Sequence, residues 1–225
     1  MKISVIHGEN SSASATFLKS ALEALKGKGI EISRISSESK LNLIETLTSD
    51  NLFFKKSVFV LENPTKIAEK EIKWLVKNAD RLPGELYIYH DSVISASIVR
   101  KLSEVSDVRE FKLPKTIFSF LDTFAPGQAR RCLLYLHELL KKEPPEFILA
   151  LLGRHLRDLY WVKVAPESLE YPDWKTSKLK SQAALFKEEK LKKLINLLAK
   201  IDVSTKTSSQ KLGSSLDLLI ASQLQ

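Results

Sequence analysis

The residues of this 225-residue chain whose types and spacing suit chemistry fall into four groups. The first is Gly8-Glu9-Asn10-Ser11-Ser12, a turn between the alternating run Lys2–His7 and a helical pattern. A strand, a turn and a helix N-terminus in that order can hold an anion. A phosphate loop, however, needs G-x-x-x-x-G-K-[ST], and a dinucleotide turn needs G-x-G-x-x-G; Gly8 has neither set of partners. Glu62, directly after the apolar run Ser57–Leu61, stands where a magnesium-holding acid can sit. Turn and acid together describe, as one reading, a small doubly wound nucleotide- or metabolite-binding enzyme lacking its phosphate grip.

The second group is His7, His90, His137, His155 and the single Cys132. One cysteine excludes a disulfide within the chain and a thiolate cluster, and the histidines lack ligand spacing such as HExxH, so neither metal nor cofactor is expected. No nucleophile elbow, carboxylate pair or Cys/His pair emerges from spacing. The third group is Leu52-Phe53-Phe54, set between Ser49-Asp50-Asn51 and Lys55-Lys56. No single helical or strand face buries three consecutive side chains, so at least one points outward as a candidate docking knob. The fourth is Trp174-Lys175-Thr176-Ser177-Lys178-Leu179-Lys180. An aromatic ring that stacks on a base beside cations that hold phosphates grips nucleic acid; in the alternative, Trp174 packs into a core.

Charge separates the two halves of the chain. Of the formal +8, residues 1–111 hold 16 Lys+Arg against 15 Asp+Glu, and residues 112–225 hold 19 against 12. The second half therefore suits an anionic partner, most simply nucleic-acid phosphate, although lysine-rich helices also solvate well on their own. With 44% hydrophobic residues the chain can bury an ordinary core. No apolar run reaches the length of a membrane span, and Met1-Lys2-Ile3-Ser4-Val5-Ile6 lacks the apolar stretch of a signal peptide, so no membrane partner and a cytoplasmic location are expected.

The elements that must position these groups change type midway. Lys2–His7, Ile30–Ile35, Ser57–Leu61, Leu86–Tyr89 and Val108–Leu113 read as strands. Between them lie helical patterns: Phe17, Leu18, Ala21, Leu22 and Leu25 up to Gly27 and Gly29; a short one on Leu41, Ile44 and Leu47; Ile67–Asn78; and Ile94–Val105. Strands alternating with helices predict a parallel sheet with helices on both faces. From Ile117 onward only helices are predicted: Ile117–Phe124, Gln128–Lys141, Glu146–Val164 behind Pro144-Pro145, Trp174–Leu185, Glu188–Ile201 and Ser214–Leu224. The expected domains are residues 1–113 and 114–225.

In the second half the order Phe118-x-x-Leu121-Asp122, the helix Ala129–Leu140, Glu143-Pro144-Pro145-x-x-Ile148-Leu149-Ala150-Leu151-Leu152, Arg154, Arg157-Asp158-Leu159 and Leu198-x-x-Ile201-Asp202-x-x-x-Lys206-Thr207 resembles the delta subunit of the bacterial DNA polymerase III clamp loader. The resemblance implies a degenerate P-loop, AAA+-like α/β domain followed by an all-α collar. It implies a protein that neither binds nor hydrolyses ATP, and that opens the sliding clamp by inserting a Leu-Phe pair into the clamp's apolar pocket. Leu52 and Phe53 match that pair, with Phe54 as a helper, and Phe54 and Val58–Leu61 are then core. The implied partners are the sliding clamp, the other loader subunits through the collar, and primed DNA, with Trp174, Lys175, Lys178 and Lys180 as candidate DNA contacts. The family places a lid domain between its two other parts; here only Leu113-Pro114-Lys115-Thr116 intervenes, so a shortened form is expected. A doubly wound enzyme, or a helical adaptor without a DNA role, is the alternative.

Overall fold

The protein is described by a computed structural model over residues 1–36, 43–48, 57–64, 68–207 and 210–225. Leu52, Phe53 and Phe54, like Leu41 and Ile67, lie outside the described residues. The chain divides into two compact units, Met1–Leu113 and Pro114–Gln225.

The first unit alternates β1 (Lys2–His7), α1 (Ser11–Lys26), β2 (Ile32–Ser36), α2 (Leu43–Thr48), β3 (Val58–Glu62), α3 (Glu69–Asn78), β4 (Glu85–Tyr89), α4 (Ala96–Leu102) and β5 (Ser106–Glu110). The five strands form one sheet in the order β2-β3-β4-β1-β5, and every pairing is parallel. Right-handed crossovers then dictate the layers. The chain leaves β1 in one direction and passes from β2 through β5 in the other, so α1 covers one face and α2, α3 and α4 cover the opposite one. The cores follow the period-two alternation of the strands. Phe59, Leu61, Leu86 and Ile88 pack with Leu43, Leu47, Ile72, Leu75 and Leu102, while Ile6, Val58 and Val60 pack with Leu18 and Leu22 of α1. Each fully buried side chain of this kind contributes roughly 1.5–3 kcal/mol.

Local chemistry sets the joints. The Asn10 side chain caps α1 by accepting the Ala13 N–H at 3.0 Å. The Glu71 carboxylate accepts the Ala68 N–H at 3.1 Å and the Leu43 N–H at 3.2 Å, which ties α2 to the start of α3. Strand β5 begins and ends earlier than the expected Val108–Leu113. It is an edge strand rich in charge, Ser-Asp-Val-Arg-Glu, and its register on β1, Ile3 beside Ser106, comes from backbone pairing and not from an apolar run.

The second unit is helical: α5 (Lys115–Thr123), α6 (Ala129–Leu139), α7 (Pro145–Val164), α8 (Asp173–Ala183), α9 (Glu188–Thr207) and α10 (Leu212–Gln223). Only residues 111–114 separate β5 from α5. Helix α7 packs on α8, α9 and α10, and α6 packs on α5 and α10. Phe120, Phe124, Leu136, Ile148, Leu152, Leu156, Leu194 and Leu216 are buried among them. Helix α9 runs six residues beyond the expected Ile201. The Lys206–Asp202 pair at 2.8 Å supports the extra turns, and the Ser204, Thr205 and Thr207 hydroxyls bond to carbonyls a turn back instead of breaking the helix. The parallel α/β unit followed by an all-α unit is the architecture the sequence pattern predicts.

Two outcomes test these joints. Gly84 has φ +83°, and a Cβ there would fall on the Ser57 carbonyl oxygen, which already accepts the Glu85 N–H at 3.0 Å. Gly84→Ala is expected to destabilise the protein by about 1–3 kcal/mol, read as a lower urea midpoint. In the second unit, His155 is half-buried and bonded to Gln182, and desolvation lowers its pKa from the ordinary 6.5. A base with a depressed folded pKa contributes stability above its unfolded value and loses it as the pH falls. Denaturation midpoints from pH 8 to 5 should therefore fall below about pH 6.5, less so in His155→Gln.

Candidate nucleic-acid interface

The strand C-termini are the place where an open α/β sheet binds ligands. Here the polar groups at that place are bonded to one another. The Gly8 N–H donates to the Ser92 carbonyl at 3.0 Å, Asn10 N–H to the Phe111 carbonyl at 2.9 Å, and Phe111 N–H to the His7 carbonyl at 2.7 Å. The Ala13 N–H donates to the Asn10 side chain, as described above, and the Ser14 N–H to the Asn10 carbonyl at 3.0 Å. Gly8, at φ +138°, lies against the Phe111 backbone so closely that a Cβ would overlap it. The turn is filled from the β5 side by main chain.

Glu62, the candidate magnesium acid, is paired with Arg34 across β2 and β3. His90 bridges the ends of β3 and β4, with Nε2 2.8 Å from the Ser92 hydroxyl and Nδ1 3.2 Å from the Asn63 side-chain oxygen. Asn63 itself sits at φ +56°, a conformation asparagine tolerates better than most residues. His7 is buried, accepts the Ile94 N–H on Nδ1 at 3.4 Å, and has its pKa lowered chiefly by burial. Among the described residues, no group of three or more His, Cys, Asp or Glu is arranged to hold a metal ion.

The aromatic and cationic segment lies on α8. Trp174, in the first turn, is 69% exposed, so it belongs to the surface and not to the bundle core. The four candidate residues do not share one face. Trp174 and Lys178 are four residues apart and neighbours on the helix surface, whereas Lys180 points to a different flank. Lys178 reaches Asp122 of α5 at 2.7 Å, and the Lys175 ammonium stands 3.4 Å over the Tyr171 ring.

Tyr171 leads to residues that sequence reading placed only in part. Its hydroxyl donates to Asp158 at 2.8 Å, and Asp158, buried on α7, also accepts from Arg157 at 3.0 Å. Burial first, and the Asp158 carboxylate second, push the Tyr171 phenol up, while Arg157 and Arg154 pull it down, so both arginines lie within electrostatic reach of it. A buried carboxylate thus orients one guanidinium and one ring, and the ring carries an ammonium. The resulting surface joins Arg154, Arg157, Tyr171 and Lys175 with the adjacent Trp174, a set able to hold phosphate oxygens beside a stacking platform. Arg154 and Arg157-Asp158 stand out in sequence as outward cations of a motif. Tyr171 does not, because it sits in the loop between α7 and α8, where periodicity is silent.

Residues 114–223 match the family of the DNA polymerase III delta subunit, C-terminal domain. No curated protein matches by sequence. Among solved structures, a Bacillus subtilis DNA clamp loader delta protein is similar at 14% identity and TM-score 0.48, with 100% of this chain and 95% of that chain covered. A Thermotoga maritima protein related to the DNA polymerase III gamma subunit is similar at 12% identity and TM-score 0.33, covering 99% and 94%. A chain of the Drosophila ORC complex with DNA and Cdc6 is similar at 10% identity and TM-score 0.33, covering 99% and 66%.

The buried hub makes a direct prediction. Asp158→Asn removes the charge shared by Arg157 and Tyr171; because the Arg157 side chain is 56% exposed, most of the cost comes from the Tyr171 side. A loss of about 1–2 kcal/mol in denaturant unfolding is expected. In the wild type, the raised phenol pKa means the contribution persists below the ordinary value of 10 and is lost as the pH rises through the higher folded value. Ultraviolet titration should show Tyr171 and Tyr87 ionising late, and Asp158→Asn should move Tyr171 alone toward the ordinary value.

Proposed function

We propose, for a DNA polymerase III delta-like chain whose C-terminal unit belongs to the delta C-terminal domain family, that it acts as a non-catalytic clamp-loader subunit which binds and opens the sliding clamp during DNA replication. The observation that carries this reading is the pairing of that family match with a strand-end turn whose N–H groups are already bonded by Phe111, Ser92 and Asn10. A subunit built this way contributes surfaces to an assembly and leaves nucleotide chemistry to its partners.

In this reading Leu52 and Phe53 are the plug that enters the clamp's apolar pocket, with Phe54 beside them. Two buried aliphatic or aromatic anchors suffice to dominate an interface, each contributing about 1.5–3 kcal/mol by area. The C-terminal unit joins the other loader subunits in a collar, and the cation–aromatic surface of Arg154, Arg157, Tyr171, Trp174 and Lys175 faces primed DNA. No helix among the described residues is long and apolar enough to cross a membrane. The place of action is the cytoplasm, where the replication machinery works.

Titration of purified sliding clamp separates this reading from its rivals. Wild type should bind, and Leu52→Ala/Phe53→Ala should bind at least about tenfold more weakly at unchanged thermal stability. Absence of wild-type binding, or equal binding by the double variant, removes the clamp-opening role.

A further inference from the structure

The outward residues of α7 keep a helical period past the cations already described. Arg154, Arg157, Trp161 and Val164 follow one another at steps of three, four and three, so they form one stripe of the helix, and all four are exposed. The inward stripe is Leu152, Leu156, Leu159 and Val162, all buried. The periodicity that puts those four in the core leaves Trp161 out of it, 41% exposed.

The ring is nevertheless held in place. Trp161 meets Tyr160 in a T-shaped contact, with ring centroids 6.3 Å apart and an interplanar angle of 66°. The Lys192 ammonium of α9 stands 5.6 Å from the centre of the Tyr160 ring, and Glu188 holds Lys192 at 2.7 Å. Glu188, Lys192 and Tyr160 therefore brace one another in turn, and Trp161 is the exposed end of the series. A T-shaped contact uses one face of an indole at most, which leaves the other for a flat partner. Arg157 lies one turn back, about 6 Å along the helix axis. Its Nε and Nη2 bond to Asp158, and a guanidinium has further N–H donors for a phosphate.

We propose that Trp161 is a second stacking platform on the surface that carries Tyr171, Trp174 and Lys175, and that this surface takes an unpaired strand of nucleic acid in preference to a duplex. This narrows the DNA-facing role proposed above, on which it rests, to the single-stranded part of the substrate. The order of groups selects the occupant. From Trp161 the surface passes to Arg157, through buried Asp158 to Tyr171 with Lys175, and on to Trp174, so rings and cations alternate. One strand offers the same alternation of flat bases and charged phosphates. In a duplex the bases are stacked on one another and present only their edges in the grooves, so exposed indoles find no partner there. An acidic peptide matches the cations but leaves the preorganised ring faces unused.

The test titrates the full chain into fluorescein-labelled oligo(dT) and into a blunt duplex of the same length, reading anisotropy at low salt. Wild type should bind oligo(dT) more tightly than the duplex. Trp161→Ala should weaken oligo(dT) binding at least about fivefold, with duplex and clamp affinity unaltered, and Trp161→Phe, which keeps a ring, should retain most of the affinity. Indole emission gives a second readout: oligo(dT) should quench Trp174→Phe, in which Trp161 and the core-packed Trp74 remain, and should not quench Trp161→Phe/Trp174→Phe. Equal oligo(dT) binding by wild type and Trp161→Ala, or an equal loss on oligo(dT) and duplex, overturns the inference and leaves the DNA-facing surface standing. Displacement of oligo(dT) by polyglutamate as readily as by unlabelled oligo(dT) also overturns it, since the surface then holds anions without stacking. Failure of wild type to bind either DNA overturns the inference together with the DNA-facing role, and the clamp titration still decides the clamp role by itself.

Discussion

A backbone N–H serves one strong acceptor at a time, and at the end of β1 that choice has been made. Where a nucleotide-binding sheet leaves such groups free for phosphate, this one gives the Gly8 and Asn10 N–H groups to the carbonyls of Ser92 and Phe111. The closure requires glycine at position 8, because only a residue without Cβ tolerates the Phe111 main chain there. It also draws the start of the β5–α5 connection onto the crest of the sheet.

From that constraint the division of labour follows. The α/β unit keeps the order and layers of a ligand-binding sheet, while Arg34 with Glu62 and His90 with Ser92 and Asn63 occupy the positions from which catalysis would start. In the helical unit the polar investment lies at Asp158, which is buried only because Arg157 and Tyr171 satisfy it, and which in return holds both in register with Lys175. A structure that places a buried carboxylate under an exposed cation and a ring has preorganised a surface, and preorganisation is what lowers the cost of binding.

How much of this was legible in the sequence depended on the kind of signal. The sheet and the bundle were readable because Val58-Phe59-Val60-Leu61 is an unbroken apolar run of strand length and the leucines of α7 recur at helical spacing. Strand β5 and the end of α9 were misjudged where pairing and hydroxyl back-bonding, which leave no apolar trace, decide the outcome. The missing glycines and lysine of a phosphate loop are visible in the sequence, but the main chain from Phe111 that fills the turn is a contact over a hundred residues and invisible to spacing. Trp174 was readable as a ring beside cations. The Tyr171–Asp158 hub that the neighbouring Lys175 joins is assembled only in the folded helical unit, where the loop after α7 returns to it.

The central claim is that this α/β unit is a scaffold for docking and not a nucleotide site. The most direct measurement is a calorimetric titration of Mg-ATP and Mg-ADP into the full chain. The account predicts no saturable heat up to millimolar nucleotide. Saturable binding in the micromolar range, abolished by Glu62→Gln or by changes at Asn10, would contradict it.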